Sequence, residues 1–356
     1  MSWSFKIGSI FGIPVRIHFI FLLLLLLILT PSISQGRLRE GAAAFLTISI
    51  IFGCVILHEL GHSLLAKRYR IKVRDIVLLP IGGVARMQIP EDPSVEIKLA
   101  LIGPAVNFAL ASIFLLPSLL TGGSPNLSFA ISPYNPFELI FKVNIWMGLF
   151  NLIPAFPMDG GRVLRGVLAK KIDYVRATHI AGQVGRGIAV LFVVLGIYKD
   201  IMLIAIGFFI FLAAGTEEHV VQLRRALRGI SVEEVMSRDV KALSPDEPVA
   251  NALEHVYRLG QDEFPVVREG VLVGIISRPT LLRLIKENRL DTWAGGVMES
   301  EFIAVSPHDS LAEAYRRMMD AGKTVVPVVE DGIFKGMLSL ENIGRYFMIH
   351  SVREEG

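Results

Sequence analysis

A single cysteine, Cys54, in a chain of 356 residues excludes any intramolecular disulfide framework. Charge is scarce as well: Asp, Glu, Lys and Arg make up 19% of the residues, and the formal net charge is only +3. So small an excess, with no basic helix interleaved with aromatics, argues against nucleic acid as a partner. The apolar run of residues 19–29 is followed by Thr-Pro-Ser-Ile-Ser, which lacks a small-x-small cleavage pattern. It therefore predicts a retained spanning helix and not a secretory leader.

Apolar residues are in excess. A hydrophobic share of 52% and a mean hydropathy of +0.54 place one of two domains in lipid. From Val232 onward the composition is that of an ordinary soluble protein. Residues 1–16 read as an interfacial lead-in. Hydropathy then predicts helices over 14–33, 42–66 and 94–120, a fourth from about Phe137, and two within 183–214 that turn at Tyr198-Lys199-Asp200. Residues 75–90, too short to span and β-branched around Gly82-Gly83, predict a hairpin. Residues 121–136, rich in Gly, Ser, Pro and Asn, predict a loop. Pro154 and Pro157 break the fourth helix, and a charged linker with Arg162, Arg165, Lys170, Lys171 and Arg176 follows. The basic loops after the second and fourth helices predict six spans with both termini in the cytoplasm.

Residues 50–66 set His58, Glu59 and His62 inside an apolar run. On a helix, His58 and His62 at i and i+4 project from one face and can share a metal, with Glu59 beside them to take a proton from a water polarised there. Ionisable groups at membrane depth are costly enough to need such a reason. Two histidines leave a catalytic zinc site one protein ligand short. Asp159, at the broken end of the fourth helix and on the same side, is the candidate; the bland alternative is a turn residue before Gly160-Gly161. Cys54 reads as a small buried residue and His18 as an interfacial one. Asn107 reads either as a helix–helix hydrogen-bonding group or as a donor to a substrate oxygen.

The soluble third contains an internal repeat. Val235-Met236 recurs as Val297-Met298, Ser244-Pro245 as Ser306-Pro307, and Pro265-Val266-Val267 as Pro327-Val328-Val329, each pair 62 residues apart. Gly270, Gly274 and Ser277 recur as Gly332, Gly336 and Ser339 in the same register. The copies predict two α/β modules that pair with one another.

His-Glu-Leu-Gly-His (58–62), Gly-Pro-Ala-Val-Asn (103–107) and Asn-Leu-Ile-Pro-Ala-Phe-Pro-Met-Asp-Gly-Gly (151–161) resemble, in order and spacing, the three signature motifs of site-2 proteases, which are intramembrane zinc metalloproteases. The resemblance covers about residues 1–220. It implies one zinc on His58, His62 and Asp159, Glu59 as general base, and Asn107 orienting or polarising the scissile carbonyl. The hairpin around Gly82-Gly83 resembles the family's membrane-embedded sheet, whose edge would pair with an unwound membrane-spanning substrate. Residues 231–286 and 292–349 resemble a tandem pair of CBS domains, which implies an adenine nucleotide in the cleft between copies. The corresponding positions are Ser277 and Thr280 in one copy and Ser339 and Asn342 in the other. Thr280 and Asn342 stand where the family pattern has a ribose-binding carboxylate. A role in dimerisation or docking is the alternative to nucleotide binding. The expected protein is thus a polytopic α-helical membrane domain, with six transmembrane helices and a short β-hairpin, plus a soluble α/β tandem CBS module in the cytoplasm. A CBS-regulated transporter would share the soluble part. It would need a polar through-pathway and inverted repeats, whereas the polar groups here gather at one depth.

Overall fold

A computed structural model of the chain describes residues 4–80, 82–87, 90–124, 135–252, 261 and 263–354. It divides into two compact units, Met1–Gln222 and Leu223–Gly356. Much of the expected loop 121–136, and the tip and end of the expected hairpin, lie outside the described residues.

The first unit opens with a hairpin of β1 (Ser4–Ile10) and β2 (Ile13–His18). Phe11 and Gly12 join them with φ of 49° and 72°, the pair of left-handed residues that lets a two-residue turn follow the strand twist. Residues 14–18, expected as the start of the first helix, are therefore strand, and so is most of the expected lead-in. Alternation in Ile13-Pro14-Val15-Arg16 buries Ile13 and Val15. The signal was hidden because β2 pairs in parallel with a distant strand, β3 (Val73–Leu79). An antiparallel strand β4 (Gly82–Met87) completes the sheet, in the order β1-β2-β3-β4.

Seven helices are described in the rest of this unit: α1 (Phe19–Ser34), α2 (Leu38–Arg68), α3 (Pro93–Leu120), α4 (Pro136–Asn151), α5 (Asp159–Ala169), α6 (Tyr174–Tyr198) and α7 (Ile201–Ala226), the last running into the second unit. Their starts follow local chemistry. His18 Nδ1, Asp92 and Asn135 accept from first-turn amides of α1, α3 and α4, and Pro93 and Pro136 occupy positions where no N–H is needed. Among the described residues, four helices are long and apolar enough to cross a membrane: α2, α3, α6 and residues Ile201–Leu223 of α7. α1 is a shorter apolar helix, and α4 has 16 residues interrupted by a buried Glu138–Lys142 pair at 2.8 Å.

The expected charged linker after residue 161 is mostly helix, because its charge is paired. Arg165 on α5 is buried, and its Nε lies 2.8 Å from Glu96 Oε1 on α3. Its Nη1 lies 2.8 Å from Glu217 on α7, and its guanidinium lies over the rings of Phe156 and Tyr174, 5.0 Å from each centroid. One guanidinium thus ties four segments together.

In the second unit, β5 (Phe264–Arg268) and β6 (Val271–Ile276) form one hairpin, and β7 (Val325–Glu330) and β8 (Ile333–Ser339) the other, in a sheet ordered β5-β6-β8-β7. The turns repeat too: Glu269-Gly270 and Asp331-Gly332 have φ of 51° and 83° in each case. Helices α8 (Arg278–Lys286), α9 (Ala294–Val297), α10 (Leu311–Ala321) and α11 (Leu340–Glu354) complete the described part. The copies exchange their leading segments. Leu227, Val232 and Val235 pack in the core of the second copy with Val305, Leu311 and Val326, while Ala294 packs in the core of the first with Val249 and Phe264.

Candidate metal centre

α2 carries His58 and His62 one turn apart, and both are buried. Asp159 reaches them as the first residue of α5, after the irregular stretch that Pro154 and Pro157 impose. It is not the end of the fourth helix, as expected, but the start of the next. The chain doubles back so tightly that a Cβ on Gly160 would meet the Ile153 carbonyl oxygen at 2.3 Å, and one on Gly161 the Ala155 carbonyl carbon at 2.7 Å. The two glycines after Asp159 are therefore required by backbone contact.

The three side chains converge. His58 Nε2 lies 3.1 Å from His62 Nε2, and Asp159 Oδ2 lies 3.3 Å and 3.2 Å from these nitrogens. The far side of each ring fixes its tautomer. His58 Nδ1 donates to Asn107 Oδ1 at 2.5 Å, and His62 Nδ1 donates to the Leu99 carbonyl at 2.7 Å. Both acceptors lack a proton to give, so each Nε2 presents a lone pair. Asp159 Oδ2 is buried and has no hydrogen-bond partner. Three buried lone pairs facing one another repel unless a cation sits among them. The triangle also has the right size: bonds of about 2.0–2.1 Å at tetrahedral angles put neighbouring ligand atoms about 3.3–3.4 Å apart. Two imidazoles and one carboxylate with a fourth position open is a donor set suited to zinc, and these residues fit it.

Asn107 is fully buried behind His58. Its carboxamide oxygen is on the histidine, and its Nδ2 donates to Asn144 Oδ1 at 2.7 Å. Both ends of the amide are thus engaged within the protein, one on the imidazole and one on Asn144. Asn144 in turn donates to Cys54 Sγ at 3.1 Å, and Cys54 stands outside the metal cluster. Glu59 accepts a hydrogen bond from the Ala85 backbone N–H of β4, at 2.9 Å.

Sequence reasoning named Gly103 as the first residue of the 103–107 motif and gave it no role at the metal centre. A Cβ there would sit 2.3 Å from His62 Nε2 and 2.6 Å from His58 Cε1, so glycine lets α3 close over both rings. It also missed the Leu99 carbonyl and the Ala85 amide, which are backbone groups with no residue-type signal. Asn144, a polar residue within an apolar helix, was open to discovery.

In the second unit a cavity of 650 Å³ is lined by Ser277, Thr280, Arg278, Arg283, Glu299 and Lys323, among others. Glu299 brings a carboxylate to the position that Thr280 leaves without one: its Oε1 accepts from Ser277 Oγ at 2.7 Å and lies 3.5 Å from Thr280 Oγ1. In the other copy, Ser339 Oγ donates to Asn342 Oδ1 at 2.5 Å and accepts from the Asn342 amide at 3.0 Å. That pair satisfies itself at the start of α11.

Comparison with known proteins agrees with this division. Residues 46–125 and 126–193 match peptidase family M50, and residues 232–287 and 294–348 match the CBS domain. A zinc metalloprotease of Methanocaldococcus jannaschii is 33% identical over 357 residues, covering 100% of this chain and 99% of its own. A solved site-2 protease from the same organism is 36% identical with a TM-score of 0.46, covering 61% of this chain and 95% of that one. The crystal structure of CBSX2 in complex with AMP is 25% identical with a TM-score of 0.32, covering 35% of this chain and 99% of that one.

Proposed function

The chain belongs to peptidase family M50 and is a membrane metalloprotease of the site-2 protease type, and from that premise we propose that it cleaves peptide bonds in or near the membrane-spanning segments of protein substrates. The observation that carries the site assignment is the triangle of buried lone pairs on His58, His62 and Asp159, edges 3.1–3.3 Å, with both imidazole tautomers fixed from behind. These three residues would hold one zinc, which when bound would supply Lewis acidity to a water and to the scissile carbonyl. Glu59 takes the proton of the attacking water and passes it to the leaving amine nitrogen. Asn107 keeps His58 in the tautomer and rotation that ligation needs.

A helical substrate hides its carbonyls in its own hydrogen bonds, so the segment to be cut unwinds locally. Among the described residues β4 is an edge strand with no strand beside it away from β3, and apart from the Ala85 N–H, which is on Glu59, it offers an unwound segment backbone groups to pair with. Six spans, with α1 and α4 the shorter ones, keep both termini and the CBS pair cytoplasmic, in accord with the basic loops. The CBS pair regulates cleavage by binding an adenine nucleotide in the cavity of Ser277, Thr280 and Glu299, and pairs with a second copy of the chain.

The test is zinc content together with cleavage of a single-span substrate in detergent, for wild type and Glu59→Gln. Zinc in both and cleavage only by wild type is expected. Wild type without zinc, or a Glu59→Gln variant that cleaves at the wild-type rate, would overturn the reading.

A further inference from the structure

The sheet meets the metal centre at one backbone group. Ala85 lies in the middle of β4, and its N–H points away from β3, to Glu59 Oε2 at 2.9 Å. The two elements are in close contact beside this bond: a Cβ on Gly83 would come within 2.8 Å of Glu59 Cγ and 2.7 Å of Val55 Cγ1. Glycine at 83 therefore lets the strand lie directly on the Glu59 side chain, and the next outward-pointing amide, two residues on, receives its carboxylate. A glutamate has three side-chain torsions and loses considerable freedom when fixed. A base without a partner would spread over several rotamers, whereas this one is held at one oxygen.

We infer that the Ala85 amide is a positioning group for Glu59, holding one carboxylate oxygen so that the other is presented to the attacking water. This rests on the reading of Glu59 as general base. The sheet then has a part in the chemistry itself, beyond any pairing with substrate: displacement of β4 misplaces the base.

The test is Ala85→Pro, which deletes the one N–H at an edge position outside the β3 ladder, where proline is tolerated. Incorporating the α-hydroxy analogue of alanine at 85, an ester in place of the amide, serves if proline perturbs the strand. Zinc content is the check on folding. Either variant retains zinc and loses kcat by about 10- to 100-fold, the range for a group that orients a catalytic ligand. Unchanged kcat in a zinc-loaded variant overturns the inference, whether KM rises (the amide then serves substrate binding alone) or stays the same. Glu59→Gln in the same assay separates the two claims: if it cleaves normally, the general-base reading has failed instead.

Discussion

Asn107 stands directly behind His58, its carboxamide oxygen 2.5 Å from Nδ1, so a buried amide on α3 decides which ring nitrogen of an α2 histidine faces the metal position. Neither residue could be assigned that relationship from its neighbours in sequence.

Asn107→Ala should weaken zinc binding by about 10- to 100-fold, as loss of a ligand-orienting partner does, with activity restored at saturating zinc. Competition against a graded chelator series measures the first, and zinc titration of cleavage the second. Unchanged zinc affinity with a lowered kcat would return Asn107 to the substrate carbonyl.

Gly103→Ala should strip the centre of metal, because the added carbon would occupy the space of both imidazoles. Metal analysis after purification reads this directly. A zinc-replete variant would mean α3 can retreat without cost.

Glu96→Ala leaves the Arg165 guanidinium buried without its principal counter-ion, and such losses cost about 3–5 kcal/mol. A lowered unfolding midpoint in detergent is expected. The Glu96→Ala, Arg165→Met double variant should recover part of the loss, since no buried charge remains. Equal stability of wild type and the single variant would show that water reaches the pair.

Full-length protein should bind AMP or ATP in equilibrium dialysis. Glu299→Ala should weaken that binding, and Asn342→Ala should leave it unchanged, because Glu299 lines the cavity beside Ser277 and Asn342 does not line it. Equal losses from both variants would put the nucleotide elsewhere. No binding by wild type would leave the CBS pair a docking module.

Patterns carried by side-chain identity were readable in advance. The i, i+4 histidines, the prolines that end α4, the turn at Tyr198-Lys199-Asp200 and the 62-residue repeat all followed from local rules. What escaped depended on contacts distant in the chain. β2 looked like the beginning of a helix because its partner β3 is a parallel strand on the far side of α1 and α2. α5 looked like a linker because Glu96 and Glu217, which neutralise Arg165, lie far away in sequence. Asp159 was found through its fit to the histidines. The Leu99 carbonyl and the Ala85 amide were beyond reach, since every residue but proline carries both kinds of group.

The exchange of leading segments between the two CBS copies bears on how the chain is made. Leu227, Val232 and Val235 leave the ribosome well before Val305, Leu311 and Val326, with which they share a core. Those three apolar residues must wait through the synthesis of the entire first copy before the core they share can close. A chain released after the first copy would carry these apolar residues without the partners of their core, exposed surface of the kind that makes folding intermediates prone to aggregate.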